Sequence, residues 1–140
     1  MLDPEGADLL ADAVLDVLER EGARNVGGLE MGAVPLVAAV CVKSHGRYPV
    51  NAFYVRKQQK DHGARQRIDG HLDPEADTVV IEDVTTTGGS ALQAVEAVRE
   101  RGARVSKVLT IVDRLEGARE TLKEHGLELI ALYTREDFAD

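Results

Sequence analysis

The 140 residues include a single cysteine, Cys41, which excludes an intrachain disulfide and any multi-cysteine zinc or iron–sulfur centre. Cys41 itself reads as a small buried hydrophobe in an apolar helix. No apolar run approaches the roughly 18–20 residues that a membrane-spanning helix needs, so no membrane partner is expected. Positive charge is also scarce: 17 Lys and Arg stand against 25 Asp and Glu, a formal net charge of −8. That balance argues against nucleic acid as a partner, because neutralising phosphates takes clustered cations. The opening MLDPEGADLL carries three acids and no base, so it is not expected to serve as a signal or transit peptide. Two common phosphate motifs are missing as well, the G-x-x-x-x-G-K-[ST] loop and the G-x-G-x-x-G dinucleotide fingerprint. What is present, 44% hydrophobic and 30% charged residues, fits one soluble globular domain over 1–140, expected in the cytoplasm.

The pattern along the chain alternates helices with strands. Asp3 can cap a first helix, Pro4 suits its first position, and Leu10, Ala13, Val14, Val17 and Leu18 recur at helical spacing until Gly22. A strand is expected over 25–29, a turn over 30–34, an apolar helix over 35–44 and a strand over 50–55. Residues 56–69, RKQQKDHGARQRID, show neither helical nor strand periodicity, and a long polar segment inside a compact domain is more often a functional loop. Strands over 78–82, 105–112 and 128–133 alternate with helices over 90–101 and 116–124. The expected fold class is therefore α/β, a parallel sheet flanked by helices on both faces. His45, His71 and His125 fall in turns and are read as solvent-facing.

The strongest chemical signal is VVIEDVTTTGGSALQAV, residues 79–95. It joins a buried-type strand, an acidic pair, a Thr/Gly/Ser turn and a helix. Ligands of open parallel sheets bind off the carboxyl ends of the strands. The turn offers hydroxyls from Thr85, Thr86, Thr87 and Ser90, and Gly88 and Gly89 let the backbone curl around a tetrahedral anion. The helix N-terminus adds roughly 0.3–1 kcal/mol for a nearby negative charge. A phosphomonoester suits such a cradle. Glu82 and Asp83 directly before it would repel that anion unless hydroxyl donors or a bound Mg²⁺ intervene.

The run IEDVTTTGGS resembles the signature of type I phosphoribosyltransferases, which act on 5-phosphoribosyl-1-diphosphate with Mg²⁺. The resemblance implies a Rossmann-like core in which Glu82 and Asp83 hold the ribose hydroxyls, while Val84, Thr85, Thr86, Thr87, Gly88, Gly89 and Ser90 wrap the 5′-phosphate. Three further segments are similar to orotate phosphoribosyltransferases. YVRKQQKDHG at 54–63 resembles their catalytic loop, which implies that Arg56, Lys57, Lys60 and His62 bind the diphosphate, some of them in a neighbouring subunit's site. GLEMGAVPLVAA at 28–39 resembles the loop that contacts the leaving diphosphate, here Glu30, Met31 and Gly32. IVDR at 111–114 resembles the strand end whose arginine, here Arg114, pairs with the orotate carboxylate, and Thr86 matches a threonine assigned to orotate contact. The implied activity is Mg²⁺-dependent phosphoribosyl transfer to orotate, giving orotidine 5′-monophosphate and diphosphate in pyrimidine biosynthesis. The implied small-molecule partners are 5-phosphoribosyl-1-diphosphate and orotate. Mg²⁺ is expected to be held mainly by substrate, with no direct protein ligand, and a homodimer sharing the loop 56–67 is implied.

Such a reaction builds an oxocarbenium-like sugar and a highly charged leaving group, so catalysis is mostly electrostatic. The charge distribution suits it. Residues 56–67 hold five basic residues and one acid, a local +4, which leaves −12 on the other 128 residues. Two departures from the family pattern stand out. The lysine of a Y-K-G triplet in the diphosphate loop is replaced here by Glu30-Met31-Gly32. The family's N-terminal hood, which closes over the pyrimidine, would precede Met1. That leaves open a truncated chain or misassigned start, a paralogue for another base, or a protein that binds 5-phosphoribosyl-1-diphosphate as a signal.

Overall fold

The computed structural model describes residues 3–57 and 67–138. Helix α1 (Pro4–Glu21) opens as the sequence predicts, with the Asp3 carboxylate accepting from the Gly6 amide at 3.0 Å, and Gly22 closes it at φ 71°. Strand β1 (Asn25–Leu29) leads to α2 (Val34–Ser44), β2 (Asn51–Val55) and β3 (Ile68–Gly70). Then come β4 (Asp77–Thr85), α3 (Gly89–Glu100), β5 (Arg104–Asp113), α4 (Ala118–Glu124) and β6 (Glu128–Thr134), with a 3-10 turn over Arg135–Phe138. No helix among the described residues is long and apolar enough to cross a membrane.

The six strands form one sheet in the order β3-β2-β1-β4-β5-β6, parallel except for β3, which pairs antiparallel with β2. Alternation along β4 sorts its side chains onto two cores. Val80 joins Ala94, Val98, Val108 and Leu122 on the side of α3 and α4. Val79 and Ile81 join Val14, Leu18, Val40 and Leu109 on the side of α1 and α2. Salt bridges tie α1 to α2 and to the turn that follows it: Lys43 of α2 meets Asp8 and Asp12, and Arg47 in the turn meets Asp12, Asp16 and Glu19.

The parallel α/β expectation holds, with corrections at the margins. The antiparallel β3 begins within the segment expected to be structureless and runs one residue past its end; three residues are too few for a periodic signal. β4 runs three residues beyond its expected end, because Val84 and Thr85 stay in register with Val112 and Asp113 of β5. α4 begins at Ala118 rather than at 116, because Leu115 and Gly117 both adopt positive φ, 61° and 98°, which no helix allows. Cys41 is half-buried rather than buried, its thiol 3.8 Å from the Val50 carbonyl. His45, His71 and His125 are exposed, as expected.

Candidate active site

The strand order places a topological switch between β1 and β4: the chain leaves β1 toward one edge and β4 toward the other. Ligands of doubly wound sheets bind at such a point, outside the carboxyl ends of the strands. Here β1 and β4 stay in register only from Asn25/Thr78 to Gly27/Val80, and beyond it they part around a cleft of about 110 Å³. Glu30, Gly32 and Ala33 wall it on the β1 side, Glu82, Asp83, Val84 and Ser90 on the β4 side, and Lys57 at the end of β2. Glycine makes this closeness possible. A Cβ on Gly28 would lie 2.2 Å from the Ile81 carbonyl oxygen, and one on Gly32 would lie 2.8 Å from Asp83 Oδ1.

Both helices that follow the parted strands start without a side-chain cap, α2 after Ala33 and α3 after Gly88. At α3 the amides ahead of Leu92 are left for a ligand, which suits a negatively charged group, whereas at α2 the Val34 amide already donates to the Met31 carbonyl at 3.0 Å and Pro35 has none to give. Gly88 supplies the tight entry to α3 at φ 99°, a conformation that favours glycine.

The acidic pair is held in two different ways. Glu82 is buried, and its Oε2 accepts the hydroxyl proton of Thr85 at 2.7 Å. Burial pushes the Glu82 carboxyl above its usual range; the Thr85 hydrogen bond opposes that shift and the neighbouring Asp83 charge adds to it. Asp83 is half-buried and accepts from the Val84 amide at 2.8 Å. Among the described residues, the ionisable lining of the cleft is therefore three acidic groups, Glu30, Glu82 and Asp83, against one cation, Lys57. Adjacent carboxylates of this kind suit a sugar's vicinal hydroxyls.

Comparison with known proteins is decisive at this point. The orotate phosphoribosyltransferase of Bradyrhizobium sp. strain BTAi1 is 51% identical over 146 residues, covering 99% of this chain and 77% of the relative. The chain belongs to the orotate phosphoribosyltransferase family. The Natronomonas pharaonis orotate phosphoribosyltransferase is 47% identical over 96% of the chain and 74% of its own length. Among solved structures, the Mycobacterium tuberculosis orotate phosphoribosyltransferase in complex with 5-phospho-α-D-ribosyl 1-diphosphate matches with a TM-score of 0.86 at 32% identity, covering 99% of this chain and 78% of that one. An adenine phosphoribosyltransferase from Trypanosoma brucei shares the fold, with a TM-score of 0.76 at 18% identity. No family model matches the chain.

With an orotate phosphoribosyltransferase frame in place, the expected residues can be located one by one. Glu82, Asp83, Val84 and Ser90 meet Glu30 and Gly32 in the cleft, and Met31 lies exposed between the latter two. Thr86 is half-buried and Thr87 exposed in the turn before α3, and Gly89 is exposed at its start. Thr85 departs from its expected part: it is fully buried, and its hydroxyl is committed to Glu82 instead of facing a phosphate. Arg56 also departs. Its Nε lies 3.3 Å from Asp69 of β3, and it does not line the cleft. Lys57 does line it, with its amide donating to Glu30 Oε2 at 2.9 Å. Arg114 stands outside the cleft lining, but its amide donates to the Thr85 carbonyl at 3.0 Å, which ties it to the cradle strand. Lys60 and His62 lie outside the described residues.

Several contributors went unread in the sequence. Gly27 and Gly28 sit side by side within a strand, a known mark of close backbone approach. A Cβ on Gly27 would meet the Phe53 ring at 2.4 Å. Asp69, the partner of Arg56, and Asp113, buried at the end of β5, carried no sequence signal.

Proposed function

We propose that this chain transfers the phosphoribosyl group of 5-phosphoribosyl-1-diphosphate to orotate, forming orotidine 5′-monophosphate and releasing diphosphate in pyrimidine biosynthesis. The observation that carries the reading is the cleft itself: the uncapped start of α3, the 30–33 loop and a vicinal acidic pair converge at the switch point of the sheet. A pentose bearing a phosphate and a diphosphate matches that layout. Its 5′-phosphate meets the amides at the start of α3, its 2′- and 3′-hydroxyls donate to Glu82 and Asp83, and its diphosphate reaches the 30–33 loop and the start of α2.

Each described side chain then has a task. Thr85 keeps Glu82 oriented and its charged form accessible, so that the carboxylate can hold the ribose and favour positive charge growing on the sugar. Asp83, more open to solvent, holds the second hydroxyl. Lys57, together with Lys60 and His62 of the catalytic loop, opposes the charge that accumulates on the departing diphosphate. Arg114 supplies the cation for the orotate carboxylate, a pairing in which a planar guanidinium is well suited.

Mg²⁺ belongs to this proposal. The ion would be held mainly by substrate, with Glu82 and Asp83 the carboxylates beside it in the cleft. The chemistry of the cleft fits, since among the described residues three acidic groups and one lysine line it, which does not neutralise a diphosphate. When bound, Mg²⁺ supplies charge neutralisation for the leaving diphosphate. The proposal also includes a homodimer in which the basic segment 56–67 serves the neighbouring site.

The test is direct. Purified chain is mixed with Mg²⁺, 5-phosphoribosyl-1-diphosphate and orotate, and the loss of orotate absorbance is followed. Turnover that depends on all three supports the reading. Tight binding of 5-phosphoribosyl-1-diphosphate without orotate consumption would point to a ligand sensor. Light scattering at assay concentration checks the dimer.

A further inference from the structure

The end of β5 carries a device that neither the acidic pair nor the phosphate cradle explains. Asp113 is 1% exposed, in register with Thr85 on one side and Thr134 on the other. A carboxylate shut away from water is unfavourable unless it is paired or hydrogen-bonded. Here Oδ1 accepts from the amide of Leu115, two residues on, at 2.9 Å. That contact closes an Asx-turn around Arg114. Leu115, at the far side of the turn, is the one non-glycine residue with positive φ among those described, at 61°. A branched side chain does not choose this region unaided, and the surrounding structure has to hold it there.

Arg114 sits at the centre of this turn. Its amide is fixed to the Thr85 carbonyl at 3.0 Å, and its guanidinium Nε lies 3.4 Å from Glu116 Oε2. The turn brings Glu116 back against Arg114, so the guanidinium already meets a carboxylate in this pose. We propose that Asp113 is a positioning residue of the orotate subsite: by holding Leu115 in the left-handed turn, its carboxylate fixes where the Arg114 guanidinium is presented to an acidic base. The proposal rests on reading Arg114 as the group that meets the orotate carboxylate.

The test measures equilibrium binding of orotidine 5′-monophosphate, which spans both subsites, and of ribose 5-phosphate, which reports the cradle alone. Asp113→Ala removes the acceptor. Leu115→Pro removes the amide donor and, because proline holds φ at about −65°, also forbids the left-handed turn that Asp113 is proposed to hold; the residue is 45% exposed, so the turn can be tested if the buried variant does not fold. Both are expected to weaken orotidine 5′-monophosphate at least tenfold while ribose 5-phosphate stays within twofold. Asp113→Asn retains an oxygen acceptor and is expected to stay within threefold of the unmodified chain for both ligands. Equal weakening of the two ligands would overturn the proposal, as it would report general disruption. So would unchanged nucleotide binding in Leu115→Pro alongside a tenfold loss in Arg114→Ala. If Arg114→Ala itself binds the nucleotide normally, the Arg114 reading falls first and the proposal with it, a pattern distinct from the other two.

Discussion

Replacing Thr85 by valine tests how the ribose-binding carboxylate is supported. Valine nearly reproduces the shape of threonine, so the fully buried site keeps its packing and loses the hydroxyl that donates to Glu82 at 2.7 Å. A hydrogen bond to a charged acceptor contributes about 1.5–3 kcal/mol, and leaving a buried carboxylate without it costs a similar amount. Taking about 2 kcal/mol and an unfolding entropy of about 2.1 cal/mol/K per residue, Tm should fall by about 7 °C at pH 7. The pH dependence gives a sharper check. Burial already raises the folded-state pKa of Glu82 above its usual 4.5, and removing the Thr85 donor raises it further. A carboxyl with a raised folded pKa favours the folded state most below the unfolded value and loses that advantage as pH rises through the folded one. The deficit of the variant against the parent should therefore be largest at neutral pH and shrink as pH falls, because Glu82 turns neutral in the folded state at a pH above its usual 4.5. Differential scanning of both proteins from pH 7 to pH 4 measures it. A deficit below about 1 °C at pH 7, or one that stays constant to pH 4, would refute the reasoning.

Three other perturbations separate the site from the scaffold. Gly28→Ala places a methyl 2.2 Å from a backbone oxygen and should cost at least about 2–3 kcal/mol, seen as a large Tm loss or failure to fold. Gly32→Ala meets the flexible Asp83 carboxylate first, at 2.8 Å, and should lower kcat/KM about tenfold with Tm within about 2 °C. A matched loss of Tm in that variant would mean the 30–33 loop supports the fold. Lys60→Ala should cut turnover by about 10²-fold or more with the circular dichroism spectrum unchanged, and normal turnover would contradict the catalytic-loop assignment.

The sequence was most legible where chemistry and periodicity act locally. Asp3-Pro4 and Gly22 mark the ends of α1 because capping depends on neighbours in the chain. The adjacency of Glu82-Asp83 to TTTGGS was readable for the same reason. Features that depend on partners distant in sequence were not. Thr85 looks like a phosphate ligand until β5 is seen to hold it inside the sheet, where its hydroxyl has Glu82 as a neighbour. Arg56 looks like a diphosphate ligand until β3 folds back and sets Asp69 beside it. The start of α4 was misplaced because nothing in Arg-Leu-Glu-Gly announces that Leu115 turns left-handed.

The early parting of β1 from β4 has a mechanical consequence. Three register pairs join these strands, against eight between β4 and β5, so the sheet has a seam down its middle, crossed by α3, which packs on both sides. A ligand seated in the cleft touches loops from both halves and acts as a clasp over that seam. Whatever binds there at a hundredfold excess over its Kd adds about 2.7 kcal/mol against global unfolding. The amides of β1 and β4 on either side of the seam should gain hydrogen-exchange protection from occupancy ahead of those at the outer edges, so that filling the site joins two loosely sutured halves into one cooperative body.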